Sequence, residues 1–309
     1  MTTHLYTHDI FAEHDTPAGH PERADRIRAV SRALEDERFE RLVRFETEAA
    51  DPDVFALAHP ADHIAHLKRE RPEAGERNRL DPDTYMSAAT WDCMLHACGG
   101  LIAAVDAVAD EEADNAFVAA RPPGHHAERT TAMGFCFVNN VAIAARYAQQ
   151  RHKMERVAIV DFDVHHGNGT QDIFEKDPSV FYASTHQMPL FPGTGAKGER
   201  GVGNICNAPL APGDGSATFR EAFIERVLAE LDAFGPDMIF VSAGFDAHHL
   251  DPLANIRLTE DDFDWATGRL MAAAEKHCDN RLVSVLEGGY DLEGLAKSCA
   301  AHVNRMMTG

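Results

Sequence analysis

The sequence lacks an excess of basic residues. Its 309 residues contain 29 lysines and arginines against 50 aspartates and glutamates, which gives a formal net charge of −21 at pH 7. Binding to nucleic-acid phosphates requires a basic face, so we expect no direct nucleic-acid partner. The negative charge suits a cationic substrate such as a lysine-rich peptide or a polyamine, and acidic solubility explains it equally well.

The sequence also lacks paired cysteines and targeting signals. Six cysteines form no Cys-x-x-Cys pair and no spacing typical of secreted domains, and we expect them to be reduced and mostly buried. The segment Met1–His4 has no basic stretch followed by an apolar one, and no apolar run approaches membrane-spanning length. These absences predict a bacterial-type cytoplasmic protein without a membrane partner, and they leave the oligomeric state open.

No internal repeat or region of biased composition divides the chain. Apolar strands alternate with helical patterns, which predicts an α/β fold with a mostly parallel β-sheet between helical layers. One helical stripe contains Phe219, Phe223, Val227, Leu228 and Leu231. A second helix, containing Trp265 and Leu270, is preceded by Thr259-x-x-Asp262, the pattern of a capping box.

Charged residues follow one strand that is apolar on both faces. The strand Val157–Val160 leads into Asp161-Phe162-Asp163-Val164-His165-His166-Gly167-Asn168-Gly169. Strand alternation would place Asp161, Asp163 and His165 on one face. Buried carboxylates must be paired or bind a cation, and carboxylate with imidazole is a ligand set for zinc. Alternatively, the acids cap a helix and the histidines are hydrogen-bonded core residues. This segment alone leaves both interpretations open.

Three other apolar strands end in polar segments. Arg121-Pro122-Pro123-Gly124-His125-His126 follows Ala116–Ala120, and Ser242-Ala243-Gly244-Phe245-Asp246-Ala247-His248 follows Met238–Val241. Glu287-Gly288-Gly289-Tyr290 follows Leu282–Leu286. Ligands of open parallel sheets bind beyond the carboxyl ends of the strands, so these segments favour a metal site at one edge. Tyr290 would then be available as a hydrogen-bond donor to an oxyanion.

With these segments assembled, the sequence resembles the zinc-dependent histone deacetylase family, which includes acetylpolyamine amidohydrolases and shares the arginase-deacetylase fold. The resemblance extends from Gly19-His20-Pro21-Glu22-Arg23 to Gly288-Gly289-Tyr290, and this spread implies a single deacetylase domain over residues 1–309. It rests on the strand-end segments above together with Gly134-Phe135-Cys136-Phe137 and Phe191-Pro192-Gly193-Thr194-Gly195.

The resemblance implies a role for each residue at the strand ends. Asp163, His165 and Asp246 would bind Zn²⁺ and leave a coordination position for water and the scissile carbonyl. His126 would act as general base and later as proton donor to the leaving amine, while His125 would orient the water and stabilise charge.

Further catalytic roles follow from the same family pattern. Asp161 would support His125, and Asn168 would support His126. Many family members carry Asp at the latter position, and Asn resembles the class II branch. A neutral partner should leave His126 less basic than an aspartate would. Tyr290 would stabilise the oxyanion, and Tyr rather than His at this position favours competent deacetylation.

The resemblance also implies a substrate tunnel. Phe135 and Phe191 would flank the stem of an acyl-lysine, and Leu253 would form an apolar wall. Gly134 and Gly288 would also contact substrate, and Asp83 at the rim would accept hydrogen bonds from the substrate backbone. Without the family pattern, the apolar residues would be interpreted as ordinary packing and Asp83 as a solvated loop acid.

Structural K⁺ is a second cofactor that the resemblance implies. One site would use Asp161, Asp163, His165, Ser184 and Thr185. Another would lie near Phe174, Asp177 and Val180, mostly on backbone oxygens. The family pattern does not use His248 and His249 as ligands, although both are close to Asp246 in sequence. His20 and His186 could lie near the site without binding metal.

The sequence therefore predicts a zinc-dependent amidohydrolase that removes an acetyl or other small acyl group from lysine side chains of peptides or proteins. Hydrolysis of acetylpolyamines is the alternative within the same chemistry. A catalytically silent acyl-lysine-binding protein is an alternative from another class, although Tyr290 and the complete ligand set oppose it. A binuclear manganese hydrolase like arginase would need Asp-x-Asp after Gly244-Phe245, where only Asp246 provides a carboxylate.

Overall fold

The centre of the molecule is an eight-stranded sheet in which every strand runs parallel to its neighbours. The computed structural model describes residues 1–309. The strand order is β2-β1-β5-β10-β9-β6-β7-β8, and β3 and β4 form a separate antiparallel hairpin. The strands are β1 Thr3–Thr7, β2 Val43–Glu46, β3 Arg77–Asp81, β4 Thr84–Ser87, β5 Asn115–Val118, β6 Val157–Asp161, β7 Val180–Gln187, β8 Ile205–Leu210, β9 Met238–Ala243 and β10 Leu282–Leu286.

Helices lie on both sides of this sheet. One group contains α3 and α4, which pack together, and another contains α1, α8 and α9. The helices are α1 Ala24–Ala33, α2 Ala61–Arg69, α3 Thr90–Ala109, α4 Asn140–His152, α5 Asn168–Phe174, α6 Ser216–Ala222, α7 Ala229–Phe234, α8 Glu260–Cys278 and α9 Leu292–Thr308. A π-helical turn, Phe223–Leu228, joins α6 to α7, and short 3-10 turns occur at Asp9–Ala12, Glu37–Phe39 and Pro52–Leu57.

The parallel sheet confirms the predicted fold class, and its central strands are buried on both faces as their apolar sequences indicate. Some boundaries differ from the sequence pattern. β5 ends at Val118 rather than Ala120, and β9 continues to Ala243 rather than ending at Val241. The predicted capping box is present at the start of α8, where the Asp262 carboxylate accepts a hydrogen bond from the Thr259 backbone. The helical stripe that begins at Phe219 faces the core.

Four central strands are adjacent in the order β5-β10-β9-β6, and each is followed by one of the polar segments identified in the sequence. Because the strands are parallel, all four segments leave the sheet at the same edge. This edge contains the histidines, the carboxylates and the tyrosine of the candidate site. The fold thus converts sequence positions up to 165 residues apart, between His125 and Tyr290, into neighbours.

Helix α3 corrects one expectation from the sequence. The segment Thr90–Ala109 has 20 residues and a mean hydropathy of 1.4, so an apolar helix of membrane-spanning length does exist. Within the protein it is a core helix, since 61% of its apolar window is buried and it packs against α4 and β5. The six cysteines are free and buried, as expected.

Candidate active site

Three buried side chains converge at the edge of the sheet in a geometry suited to a metal ion. Ligand atoms of Asp163, His165 and Asp246 all lie within 4.8 Å of one another. His165 Nδ1 is 3.3 Å from Asp163 Oδ1 and 3.0 Å from Asp246 Oδ2. The loop after β6 provides the first two residues, and the loop after β9 provides Asp246. These are the three residues that the family pattern assigned to zinc.

Strand alternation does not position Asp163 and His165, contrary to the expectation from the sequence. Strand β6 ends at Asp161, so Asp163 and His165 belong to a loop. The loop is folded tightly by side chain to backbone hydrogen bonds: the Asp163 amide donates to Asp161 Oδ1 at 3.1 Å, and the His165 amide donates to Asp163 Oδ1 at 2.9 Å. Strand alternation therefore explains the orientation of the Asp161 side chain, and these hydrogen bonds explain the positions of Asp163 and His165.

The electrostatics and the space at this cluster fit a divalent cation. Burial and the neighbouring Asp163 carboxylate raise the pKa of Asp246 to about 7. Burial alone would lower the pKa of His165, but Asp163 and Asp246 outweigh it and raise that pKa to about 10. Two buried carboxylates with an imidazole need a compensating positive charge, and this donor set suits zinc. A Cβ on Gly288 would lie 2.2 Å from Asp246 Oδ2, so only glycine leaves room there.

Two histidines lie beside the cluster with their rings 4.0 Å apart, and each has a different partner. His125 Nδ1 is 3.0 Å from Asp161 Oδ2, and His126 Nδ1 is 2.8 Å from Asn168 Oδ1. Burial would lower the pKa of His125, but Asp163 and Asp161 hold that pKa well above its usual value. Burial and the positive charge of neighbouring histidines hold the pKa of His126 well below its usual value. His126 is thus the neutral member of the pair.

Tyr290 lies on the same cavity as His126 and His165. Burial holds the pKa of its phenol well above the usual value, so the hydroxyl retains its proton and can donate it in a hydrogen bond. The Tyr290 amide donates to Asp251 Oδ2 at 2.7 Å, and the Arg26 guanidinium is 4.9 Å from the ring centroid. These contacts hold the ring in place.

A cavity of about 370 Å³ leads from the surface to these residues. It is lined by His20, Pro21, Asp83, His126, Gly134, Phe135, His165, Leu190, Phe191, Leu253 and Tyr290. Five of the six predicted substrate-contacting residues therefore lie on one cavity. Gly288 does not line it; its amide donates to Asp163 Oδ2 at 2.8 Å. Gly134 lies against His126, and a Cβ there would be 2.6 Å from that imidazole.

The residues predicted to bind potassium form two groups. In the first, Ser184 on β7 is directly opposite Asp161 on β6, and the Thr185 hydroxyl is buried without a hydrogen-bond partner. In the second, the backbone oxygens of Phe174, Asp177 and Val180 converge. The Asn204 amide nitrogen lies within 3.0 Å of all three oxygens.

The remaining histidines lie outside the metal cluster. His248 is buried and pairs with Glu260 at 3.3 Å. His186 bonds with Ser184 and the Gly195 carbonyl. His20 lines the cavity mouth and bonds with the Asp83 backbone oxygen at 2.9 Å.

Sequence reasoning missed the buried acids that support the site. Glu22 forms ion pairs with Arg26 and Arg121, all three fully buried. Glu287 accepts hydrogen bonds from the amides of Gly124, at 2.7 Å, and His125, at 3.2 Å. The position of Glu287 directly after an apolar strand was a signal for such a role, because Asp161 follows its strand in the same way. Nothing local indicates the partner of Glu22, which is 99 residues from Arg121.

Known proteins share this arrangement. A model of the histone deacetylase domain matches residues 20–306. A probable deacetylase of Archaeoglobus fulgidus is 39% identical over 301 residues, covering 95% of this chain and 83% of that protein. The histone deacetylase-like amidohydrolase of Pseudomonas aeruginosa is 41% identical over 266 residues, covering 84% of this chain and 69% of that protein.

The similarity extends to three dimensions. The crystal structure of the HDA15 HD domain matches with a TM-score of 0.93 and 32% identity, covering 99% of this chain and 89% of that one. The matched residues include the buried Asp163, His165 and Asp246 cluster. The chain therefore belongs to the histone deacetylase family of deacetylases and amidohydrolases.

Proposed function

We propose that this protein is a zinc-dependent deacetylase that removes an acetyl or other small acyl group from lysine side chains of peptides or proteins. The observation that carries the proposal is the cavity, because it brings His126, His165 and Tyr290 to the inner end of a passage with aromatic walls. Phe135 and Phe191 suit the uncharged methylene stem of an acylated lysine. The family membership supplies the deacetylase chemistry.

Each catalytic residue has a defined task in this proposal. Zn²⁺ held by Asp163, His165 and Asp246 would polarise the scissile carbonyl and lower the pKa of a water molecule. His126, which is neutral, accepts a proton from the attacking water and later donates it to the leaving amine. His125, paired with Asp161, remains protonated and stabilises developing negative charge. The Tyr290 hydroxyl donates a hydrogen bond to the oxyanion.

The charges around the cavity support a lysine substrate over a polyamine. Apart from the metal ligand His165 and the catalytic residues, the lining is largely apolar, and Asp83 is its one carboxylate. A long polyamine carries further ammonium groups, and a second acidic residue beyond the rim would be needed to bind them. Asp83 alone suits the backbone amides of an extended peptide.

Turnover of a substrate panel tests this proposal. Acetyl-lysine peptides, acetylputrescine and acetylspermidine should be compared at two salt concentrations with the zinc-loaded protein. We expect the peptides to give the higher kcat/KM. A polyamine preference that collapses with salt would favour the alternative substrate, because salt screens exposed charges. Binding of acetyl-lysine peptide without turnover of any substrate would indicate a silent binder.

We also propose that K⁺ binds at the two groups of oxygens described above. Support comes from the family membership and, for the first group, from Ser184, which lies directly opposite Asp161 in the sheet. Melting temperature measured in potassium chloride and in tetramethylammonium chloride of equal ionic strength tests it. We expect a higher melting temperature in potassium, since a ligand that binds only the native state stabilises it. Equal values would reject the proposal.

A further inference from the structure

Glu128 forms the far end of a hydrogen-bonded chain that leads to the proposed general base. Its Oε1 accepts a hydrogen bond from Asn168 Nδ2 at 2.7 Å, and Asn168 Oδ1 is 2.8 Å from His126 Nδ1. Met133 Sδ is a weaker second contact of the same amide nitrogen, at 3.3 Å. Glu128 follows the two histidines by two residues, whereas Asn168 is the first residue of α5.

The chemistry of these groups determines the direction of every hydrogen bond in the chain. A carboxylate can only accept, so the Asn168 atom facing Glu128 must be the NH₂ group. The amide oxygen is therefore the atom that faces His126, and it too can only accept. His126 Nδ1 must then carry the proton. In a neutral imidazole this leaves the lone pair on Nε2, the nitrogen that a general base uses.

Reversal of the Asn168 amide is opposed by the same carboxylate. The flipped amide would place its oxygen 2.7 Å from Glu128 Oε1, two acceptors without a proton between them. The two segments cannot separate easily, because they are in close backbone contact: a Cβ on Gly169 would lie 2.2 Å from the Ala127 carbonyl oxygen. Without Glu128, nothing of comparable strength would distinguish the two amide orientations, since a thioether is a weak acceptor.

We propose that Glu128 is a positioning residue that fixes the Asn168 amide and thereby sets the Nδ1–H tautomer of His126. The carboxylate touches neither substrate nor metal ligands, and it acts through Asn168. This inference rests on the proposed role of His126 as general base, but its structural part, the tautomer, does not depend on any substrate.

A double-mutant cycle between positions 128 and 168 tests the proposal. Asn168→Asp alone would set two carboxylates 2.7 Å apart, and repulsion between them would displace the acceptor of His126. Adding Glu128→Gln restores a donor for the new carboxylate. We expect Asn168→Asp to lower kcat by about tenfold, and the double variant to recover most of that loss, a coupling of the size measured for contacting residues. The single variant Asn168→Asp and the double variant both carry Asp at position 168, so the effect of this Asp on the basicity of His126 cancels when the two are compared.

Single substitutions at Glu128 measure the positioning effect. Glu128→Ala removes the acceptor of Asn168 Nδ2 and should lose about tenfold in kcat, the effect of a lost hydrogen bond to a charged group. Glu128→Gln can face Asn168 with either its carbonyl or its NH₂ group, so it fixes the Asn168 amide less firmly than wild type and should lose less than Glu128→Ala. KM should be unchanged in both. Asp172→Ala is the matched control, because the Asp172 carboxylate binds the Arg129 amide in the same loop but does not contact Asn168. Its kcat should be unchanged.

Nitrogen-15 spectra of histidine rings provide a readout that is independent of activity. The ring signals of His126 are identified as those absent from the spectrum of His126→Gln. In the zinc-loaded wild-type protein these signals should show a protonated Nδ1. In Glu128→Ala they should show a mixture of tautomers. An Nδ1 without a proton in wild type, unaltered tautomers in Glu128→Ala, additivity in the cycle, or an equal loss in Asp172→Ala would each overturn the proposal. If wild type hydrolyses no acylated amine while its Nδ1 is protonated, the proposed function fails and the positioning stands.

Discussion

A single oxygen atom distinguishes the proposed task of Tyr290 from its packing. Tyr290→Phe keeps the ring against Phe135 and Arg26 and removes only the hydroxyl. We expect an unaltered fold, full zinc content and a fall in kcat of about 10²–10³, the loss seen when one oxyanion donor is removed. Steady-state kinetics and metal analysis check this. Turnover within about threefold of wild type, far less than such a loss, would exclude the donor role.

Removal of a metal ligand and removal of the base should have different signatures. Asp246→Ala takes one carboxylate from a buried set of three ligands, so we expect purified protein to contain little zinc. Asp163→Ala and His165→Ala should behave alike. His126→Ala should retain zinc and lose roughly 10²–10⁴ in kcat, the contribution of general acid–base catalysis.

Zinc content and single-turnover rates measured on the same preparations distinguish these cases. A ligand variant with full zinc occupancy would lose its assignment. Near-normal turnover by His126→Ala would transfer the role of base to another group, and His125 would be the first candidate, because it is the other imidazole beside the metal cluster.

At the scale of an element, the first turn of α8 depends on one buried carboxylate. Asp262 accepts hydrogen bonds from the Thr259 amide at 3.1 Å, Ser216 Oγ at 2.7 Å and Arg220 Nε at 2.8 Å, and so joins α6 to α8. Asp262→Ala should lower the free energy of unfolding by about 2 kcal/mol, since several partners lose their acceptor. Thr259→Ala should cost about 1 kcal/mol, the usual value for an N-cap.

Urea unfolding of zinc-loaded proteins measures both effects. Asp261→Ala is the control, because Asp261 is exposed in the same turn and its carboxylate forms none of these bonds. Asp261→Ala should lower the free energy of unfolding by only about 0.3 kcal/mol, through the lost interaction with the helix dipole. If Asp262→Ala were no worse than Asp261→Ala, the connection between α6 and α8 would be unimportant for stability.

The strand ends show how far sequence alone can predict such a site. The sequence signal for the site is local: apolar strands are followed by polar segments that contain Asp161, His125, Asp246 and Tyr290. Because the carboxyl ends of parallel strands lie at the same edge of a sheet, these segments are predicted to meet. Among the supporting acids only Glu287 carries this signal, because it directly follows β10. The roles of Glu22 and Glu128 depend on partners that the chain brings together only on folding. The cavity wall depends on loops, whose positions a periodic sequence pattern does not predict.

For the whole molecule, buried His302 should contribute to acid sensitivity. Its ring bonds with Thr267 and Ser284, and burial lowers its pKa to about 3. Because an unfolded histidine takes up a proton near pH 6.5, the unfolded state binds more protons below that pH. Stability from this residue is complete above about pH 6.5 and is lost as the pH falls toward 3, by about 1.4 kcal/mol per pH unit.

His302→Gln retains a hydrogen-bonding side chain that does not titrate. We expect the difference in unfolding free energy between wild type and variant to be constant above pH 7 and to shift in favour of the variant as the pH falls. Denaturant unfolding at several pH values, with equal zinc in both proteins, measures this difference. A difference that is constant from pH 7 to pH 4 would show that His302 does not contribute.

The ligands of the metal cluster come from distant parts of the chain. His165 and Asp246 are 81 residues apart, and β6 and β9, which precede them, are already paired in the sheet. In a disordered chain, closing a loop of this length would cost about 4 kcal/mol before any ligand bond formed. The sheet closes that loop in advance, so the folded chain would bind the ion far more tightly than the unfolded chain can. An ion held by both residues would link two distant parts of the polypeptide, and we expect a strong chelator to lower the free energy of unfolding as well as abolish activity.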